Sequence, residues 1–114
     1  MKRPLRALSV RQPYAENILS GEKTEEYRPI STNIRERVYI YAGLKPGDDS
    51  DWSEIGLEPG DLPTGVIVGS VEIVGCRKRR GGYTWDLANP QRLRKPLAPE
   101  RKAQPVFFKP FGDD

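Results

Sequence analysis

The chain has 114 residues, 19 of them Lys or Arg and 16 Asp or Glu, which suits one modest core and is short for two. It contains no histidine and one cysteine, Cys76. That excludes histidine-based triads, the usual zinc sites and any intrachain disulfide, and leaves acid–base chemistry to Lys, Glu, Asp or Tyr. No apolar run approaches the ~20 residues that cross a bilayer, and no apolar signal core follows Met1-Lys2-Arg3-Pro4; a cytoplasmic protein with no membrane partner is expected.

In chain order, Leu5 to Arg11 reads as a first strand, with Leu5, Ala7 and Ser9 on one face and Leu8 and Val10 on the other. Gln12-Pro13 opens a helix, proline suiting its first position. Ala15, Ile18 and Leu19 supply the buried stripe, and Gly21 ends the helix. Thr24 to Arg28 is a second strand, broken at Pro29. Arg37 to Ala42 is a third, with Val38, Ile40 and Ala42 facing one side and Tyr39 and Tyr41 the other.

From Gly43 to Thr64 the pattern fails in an acidic loop, where Asp51 and Glu54 could cap a short helical turn through Trp52, Ile55 and Leu57. Gly65 to Cys76 is apolar on both faces and reads as a central strand, with Gly69 and Gly75 at bulges or bends. Arg77 to Arg80 is then a basic turn, Tyr83 to Leu87 a strand, Asn89-Pro90 a turn, and Gln91 to Pro105 a basic, proline-punctuated connection. Val106-Phe107-Phe108 closes the pattern as a last strand. Short strands around one early helix predict an α+β, β-rich fold, a small mixed barrel in a single domain over residues 1–114.

Charge is uneven. Residues 1–76 carry a net −3 and residues 77–102 a net +7. Such a stretch fits an anionic partner, nucleic acid first, or a solvated surface.

The segment LSVRQPYAENILSGEKTEEYR at residues 8–28 resembles the opening of the ASCH domain family, within the PUA-like superfamily. The resembling features are a strand, Gln12-Pro13-Tyr14, a helix, and Gly21-x-Lys23-x-x-Glu26-x-Arg28. YIYAG at Tyr39–Gly43, TGVIVGSVEIVGC at Thr64–Cys76, YTWDLANPQRLRKP at Tyr83–Pro96 and QPVFF at Gln104–Phe108 continue the likeness in order. The resemblance implies a PUA-like pseudo-barrel with a cleft beside the early helix. It also implies a role in RNA binding, RNA processing or transcription coactivation. Some relatives are ribonucleases, or amidohydrolases that deacylate acetylated cytidine. The latter carry a threonine three residues after the lysine, where this chain has Glu26; Thr24 follows Lys23 directly.

Lys23, Glu26 and Arg28 are the residues singled out. On a strand Glu26 and Arg28 share a face, with Lys23 at the preceding turn. Two cations and one carboxylate suit a phosphate and a base edge together; a strand-ordering Glu26–Arg28 ion pair is the alternative. If the chain is an enzyme, Lys23 and Glu26 are the catalytic pair, with Thr24 and Glu72 behind them. Glu72 equally reads as the partner of a buried arginine.

Arg11 and Ser9 line the same expected cleft. Tyr14, Tyr41 and Trp85 are placed to stack a base, with core packing as the competing reading. Arg77, Lys78, Arg79 and Arg80, together with Arg92–Lys95, are candidates for phosphates, or an ordinary solvated hairpin tip. No cofactor is implied, and the acidic residues show no metal-ligand spacing. Three function classes follow: a binder of single-stranded RNA or a nucleotide, a small hydrolase acting on RNA or a modified pyrimidine nucleoside, and a protein-interaction domain using the loop around Trp52.

Overall fold

The computed structural model describes residues 3–47, 52–53, 56–58 and 60–112. The elements run β1 (Ala7–Val10), α1 (Tyr14–Leu19), β2 (Glu25–Arg28), β3 (Arg37–Ala42), β4 (Val66–Arg79), β5 (Gly82–Leu97) and β6 (Phe107–Phe108). They form one six-stranded sheet in the order β2-β5-β4-β3-β1-β6, in which only β1–β3 is parallel. Among the described residues no helix is long and apolar enough to cross a membrane.

Alternation on β3 explains the two cores. Val38, Ile40 and Ala42 join Leu8, Val10, Val71, Ile73, Trp85 and the helix residues Ala15, Ile18 and Leu19 in the main cluster. Tyr39 and Tyr41 fall on the opposite face with Ala7, Ile67 and Phe108, covered by Leu93, Ala103 and Phe111. The return segment after β5 thus shields a face that a lone sheet would expose.

Helix α1 is short and is held by Gln12 at its start and by packing on the sheet. Pro13 precedes the helix and does not open it; the buried Gln12 side chain accepts from the Glu16 N–H (3.0 Å) and donates to the Pro63 carbonyl (3.0 Å). Gly21, at φ 86°, supplies the left-handed residue just past the end. Leu19 lies down on β4 at Gly69, where a Cβ would collide with the Leu19 methyl and the Gln91 carbonyl.

Further expectations are corrected. The sheet does not close into a barrel by strand pairing: β2 has four residues and β6 two, flanked by Pro29, Pro105 and Pro110, so the edges offer little ladder to join. Side chains bridge the gap in its place. Trp85 on β5 stacks on Phe107 of β6 at 5.6 Å between ring centroids, although three strands separate them in the sheet order. The run Arg77–Arg79 belongs to β4, and only Arg80-Gly81 turns. Asn89-Pro90 is no turn, and Gln91 to Leu97 is strand and not connection: β5 passes through in a bulge, Asn89 taking φ 54° while the register shifts between Ser70 and Glu72. A bulge tolerates a proline that lacks the ladder donor. Further shifts at Gly69 and Gly75 match the bends expected there. In the acidic loop Trp52 is helical and buried; the proposed caps Asp51 and Glu54, and Ile55, lie outside the described residues.

Candidate functional site

β2 is the edge strand on which the site is built. Its alternation turns Glu26 inward and Tyr27 outward, leaving Glu26 7% and Tyr27 54% exposed. Glu26 sits between two cations. Its Oε2 accepts from Arg28 Nε at 2.8 Å, with Arg28 Nη2 at 2.7 Å, and its Oε1 lies 3.4 Å from Lys23 Nζ. Arg28 Nη2 also donates to the Ser9 carbonyl at 2.8 Å. Lys23 is anchored through its backbone N–H to the Asn17 carbonyl at the end of α1 (2.9 Å). The three residues singled out therefore converge, with the carboxylate held at the centre. In this position Glu26 fixes the two cations and lines none of the three clefts described next.

Those clefts adjoin β2. A helix cleft of ≈ 350 Å³ lies between α1 and β2, with Tyr14, Lys23, Thr24 and Tyr27 in its wall. A hairpin groove of ≈ 550 Å³ runs along Tyr27, Arg28, Arg79, Arg80, Gly82 and Tyr83. A more apolar cleft of ≈ 520 Å³ is walled by Val10, Ile30, Leu44 and Val106, with Arg11, Arg28 and Lys45 at its rim. Tyr27 is shared by the first two, and Arg28 by the last two. The hairpin groove depends on Gly82, where a Cβ would sit 2.6 Å from the Arg28 carbonyl oxygen. Glycine lets the β4–β5 tip lie against the end of β2.

Tyr27 was not among the aromatics picked from the sequence. Lys23 Nζ lies 4.9 Å and Arg79 Cζ 4.4 Å from its ring centroid, both within cation–π range. The signal was available in the alternation Glu25-Glu26-Tyr27-Arg28, since an inward Glu26 forces an outward Tyr27. Tyr14 is half-buried in the helix cleft, 5.7 Å from Lys23 Nζ.

Other expected site residues fall elsewhere. Tyr41 packs edge-on against Phe108 in the second core at 5.3 Å. Trp85 is fully buried and donates from Nε1 to the Ile30 carbonyl at 3.0 Å. Neither presents a ring face to a ligand in this structure, because both sit on inward positions of strands covered on both sides. Glu72 belongs to the opposite face, where it accepts from Arg37 and Asn89 at 3.2 Å each, so its pairing with an arginine is realised away from Lys23. Trp52, the centre of the loop surface considered for a protein partner, is 1% exposed.

The basic stretch divides in two. Arg77 is engaged by Asp86 (2.7 and 3.1 Å) and by Glu25, which raises its pKa and holds the Asp86 carboxyl below its ordinary value of 3.8. Arg92 grips Glu16 through two bonds of 2.7 and 2.8 Å, raising the pKa of its guanidinium. Lys78, Arg79, Arg80, Arg94 and Lys95 are exposed and have no ion pair among the described residues. Arg79 and Arg80 lie at the tip; Arg94 and Lys95 lie at the far end of β5, where Leu97 pairs with Ile67. About twelve residues of strand, roughly 40 Å of path at ~3.3 Å each, separate the two clusters.

No curated protein matches the chain. The ASCH domain pattern matches residues 8–105, from the middle of β1 to the segment just before β6, and so takes in α1, the Lys23–Arg28 segment and the whole β4–β5 hairpin. The chain belongs to the ASCH domain family.

Proposed function

We propose that this protein binds RNA, holding single-stranded RNA or a nucleotide along β2 between the helix cleft and the hairpin groove. The observation that carries this reading is Tyr27: an exposed ring flanked by Lys23 and Arg79, placed where the two clefts meet. A base stacked on such a platform gains ~1–3 kcal/mol, and single strands offer unstacked base faces and edges to a small cleft. Glu26 acts by positioning Lys23 and Arg28, which supply the cationic contacts. The ASCH family is itself proposed to bind RNA, which agrees with this use of the surface.

The test is fluorescence anisotropy of a labelled single-stranded RNA with the wild type, Lys23→Ala and Tyr27→Ala, at low and moderate salt, followed by a gel of the RNA. Salt-sensitive binding that falls at least tenfold in both variants, with intact RNA, is expected. Salt-independent binding, or binding unchanged in both variants, would refute the reading. Cleavage that disappears in Lys23→Ala would show the chain to be a ribonuclease instead.

A further inference from the structure

The two openings that meet at Tyr27 differ in charge. The helix cleft carries Glu22 and Glu25 beside Lys23, with Glu25 paired to Arg77, so its lining has no excess positive charge to hold a phosphate. The hairpin groove has no carboxylate among its described lining residues and carries Arg28, Arg79 and Arg80. Arg28 is already held by Glu26 and the Ser9 carbonyl. Arg79 and Arg80 are exposed, with no ion pair among the described residues, and guanidinium groups in this state match phosphate oxygens. Arg79 Cζ also lies over the Tyr27 ring at 4.4 Å, so one guanidinium can face a phosphate and support a stacked base.

Resting on the RNA-binding reading, we infer that the ligand is recognised through the phosphate that follows the bound base, as a 3′-nucleotide or a longer chain, and not as a free nucleoside. One base lies in the helix cleft against Lys23 and Tyr27. The phosphate that follows it lies in the hairpin groove on Arg79 and Arg80. A nucleoside fills only the helix cleft and leaves Arg79 and Arg80 of the hairpin groove without an anion. Arg77, though adjacent in sequence, takes no part, because Glu25 and Asp86 already neutralise it.

The experiment is calorimetric titration of the full chain with the four nucleosides and with mixed-sequence oligoribonucleotides of two, four and eight nucleotides. The proteins are the wild type, the double variant Arg79→Ala/Arg80→Ala, and Arg101→Ala/Lys102→Ala, which removes equal charge elsewhere. Affinity is expected to rise at least tenfold from nucleoside to dinucleotide. The Arg79/Arg80 variant should lose that gain, and its salt slope should fall by about one. Equal affinity for nucleosides and oligonucleotides, survival of the gain in the Arg79/Arg80 variant, or the same loss in the Arg101/Lys102 variant would each overturn the inference. Length-independent binding that still requires Lys23 overturns this inference alone, whereas a wild type that binds none of the RNAs overturns the RNA-binding reading as well.

Discussion

The guanidinium of Arg28, on the edge strand β2, donates to the main-chain carbonyl of Ser9 at 2.8 Å, although β5, β4 and β3 lie between their strands in the sheet. The sheet therefore curls until its second-last strand meets its first, and a side chain makes the link that strand pairing does not. The same guanidinium holds Glu26. Arg28 thus joins the curling of the sheet to the ion pair at the site, beside the Trp85–Phe107 stack that bridges the same gap.

Arg28→Ala should lower stability by about 1–3 kcal/mol, because it removes a charge-assisted bond from a carboxylate that stays buried. Arg28→Lys should cost less, keeping the charge but losing the forked reach to both Glu26 and Ser9. Urea denaturation followed by tryptophan fluorescence suits the test, since Trp85 lies 5.7 Å from Arg28. Unchanged midpoints in both variants would show that this bridge does not hold the sheet edges together.

Gly82→Ala should cost about 1–3 kcal/mol, since its Cβ meets the Arg28 carbonyl oxygen at 2.6 Å and Pro29 Cα at 3.3 Å. Relief requires the hairpin tip to move away from β2, opening the groove of Arg79 and Arg80, so RNA affinity should fall along with stability. Gly81 has φ 84° with open space around its Cβ position; Gly81→Asn should be mild, as asparagine tolerates left-handed backbone. Equal effects of the two substitutions on melting temperature would contradict the assigned contact.

Asp86 links stability to acid. Arg77 holds its carboxyl below 3.8 in the folded chain, so its contribution is present above that value and disappears as pH falls through the depressed folded pKa. The unfolded chain takes up the proton first, which is the sign required for acid destabilisation. Asp86→Asn should flatten the acid limb of the stability profile below about pH 4 while leaving the slope near neutrality unchanged. Both partners are substantially exposed, so the effect should be small and should shrink in high salt. Urea midpoints measured from pH 6 down to pH 2.5 decide it, and an identical acid limb in the variant would exclude the linkage.

How much was legible beforehand differs by element. The buried stripe of Ala15, Ile18 and Leu19, the two-faced strand at Arg37–Ala42, and the bends at Gly69 and Gly75 follow from periodicity and from glycine's missing Cβ. These are local properties, carried by spacing along a short piece of chain. The shared face of Glu26 and Arg28 was also legible, since a strand places positions two apart on one side, whereas only the fold shows the contact of Lys23 with Glu26.

By itself the sequence determined the early helix, the opposed faces of the strand at Arg37–Ala42, the resemblance to the ASCH family and the chemistry available without histidine. Tertiary structure alone decided what those residues do. Pro90 reads as a turn until the bulge opposite Ser70 and Glu72 absorbs it. Trp85 reads as a stacking surface until Phe107, brought in from the other end of the curled sheet, covers it. A run of four cations reads as one phosphate clamp until strand alternation sends Arg77 to Glu25 and Asp86 and lays Arg79 on Tyr27. Each outcome depends on a partner distant in sequence, and pairings of that kind are set by register and curvature, which no local pattern encodes.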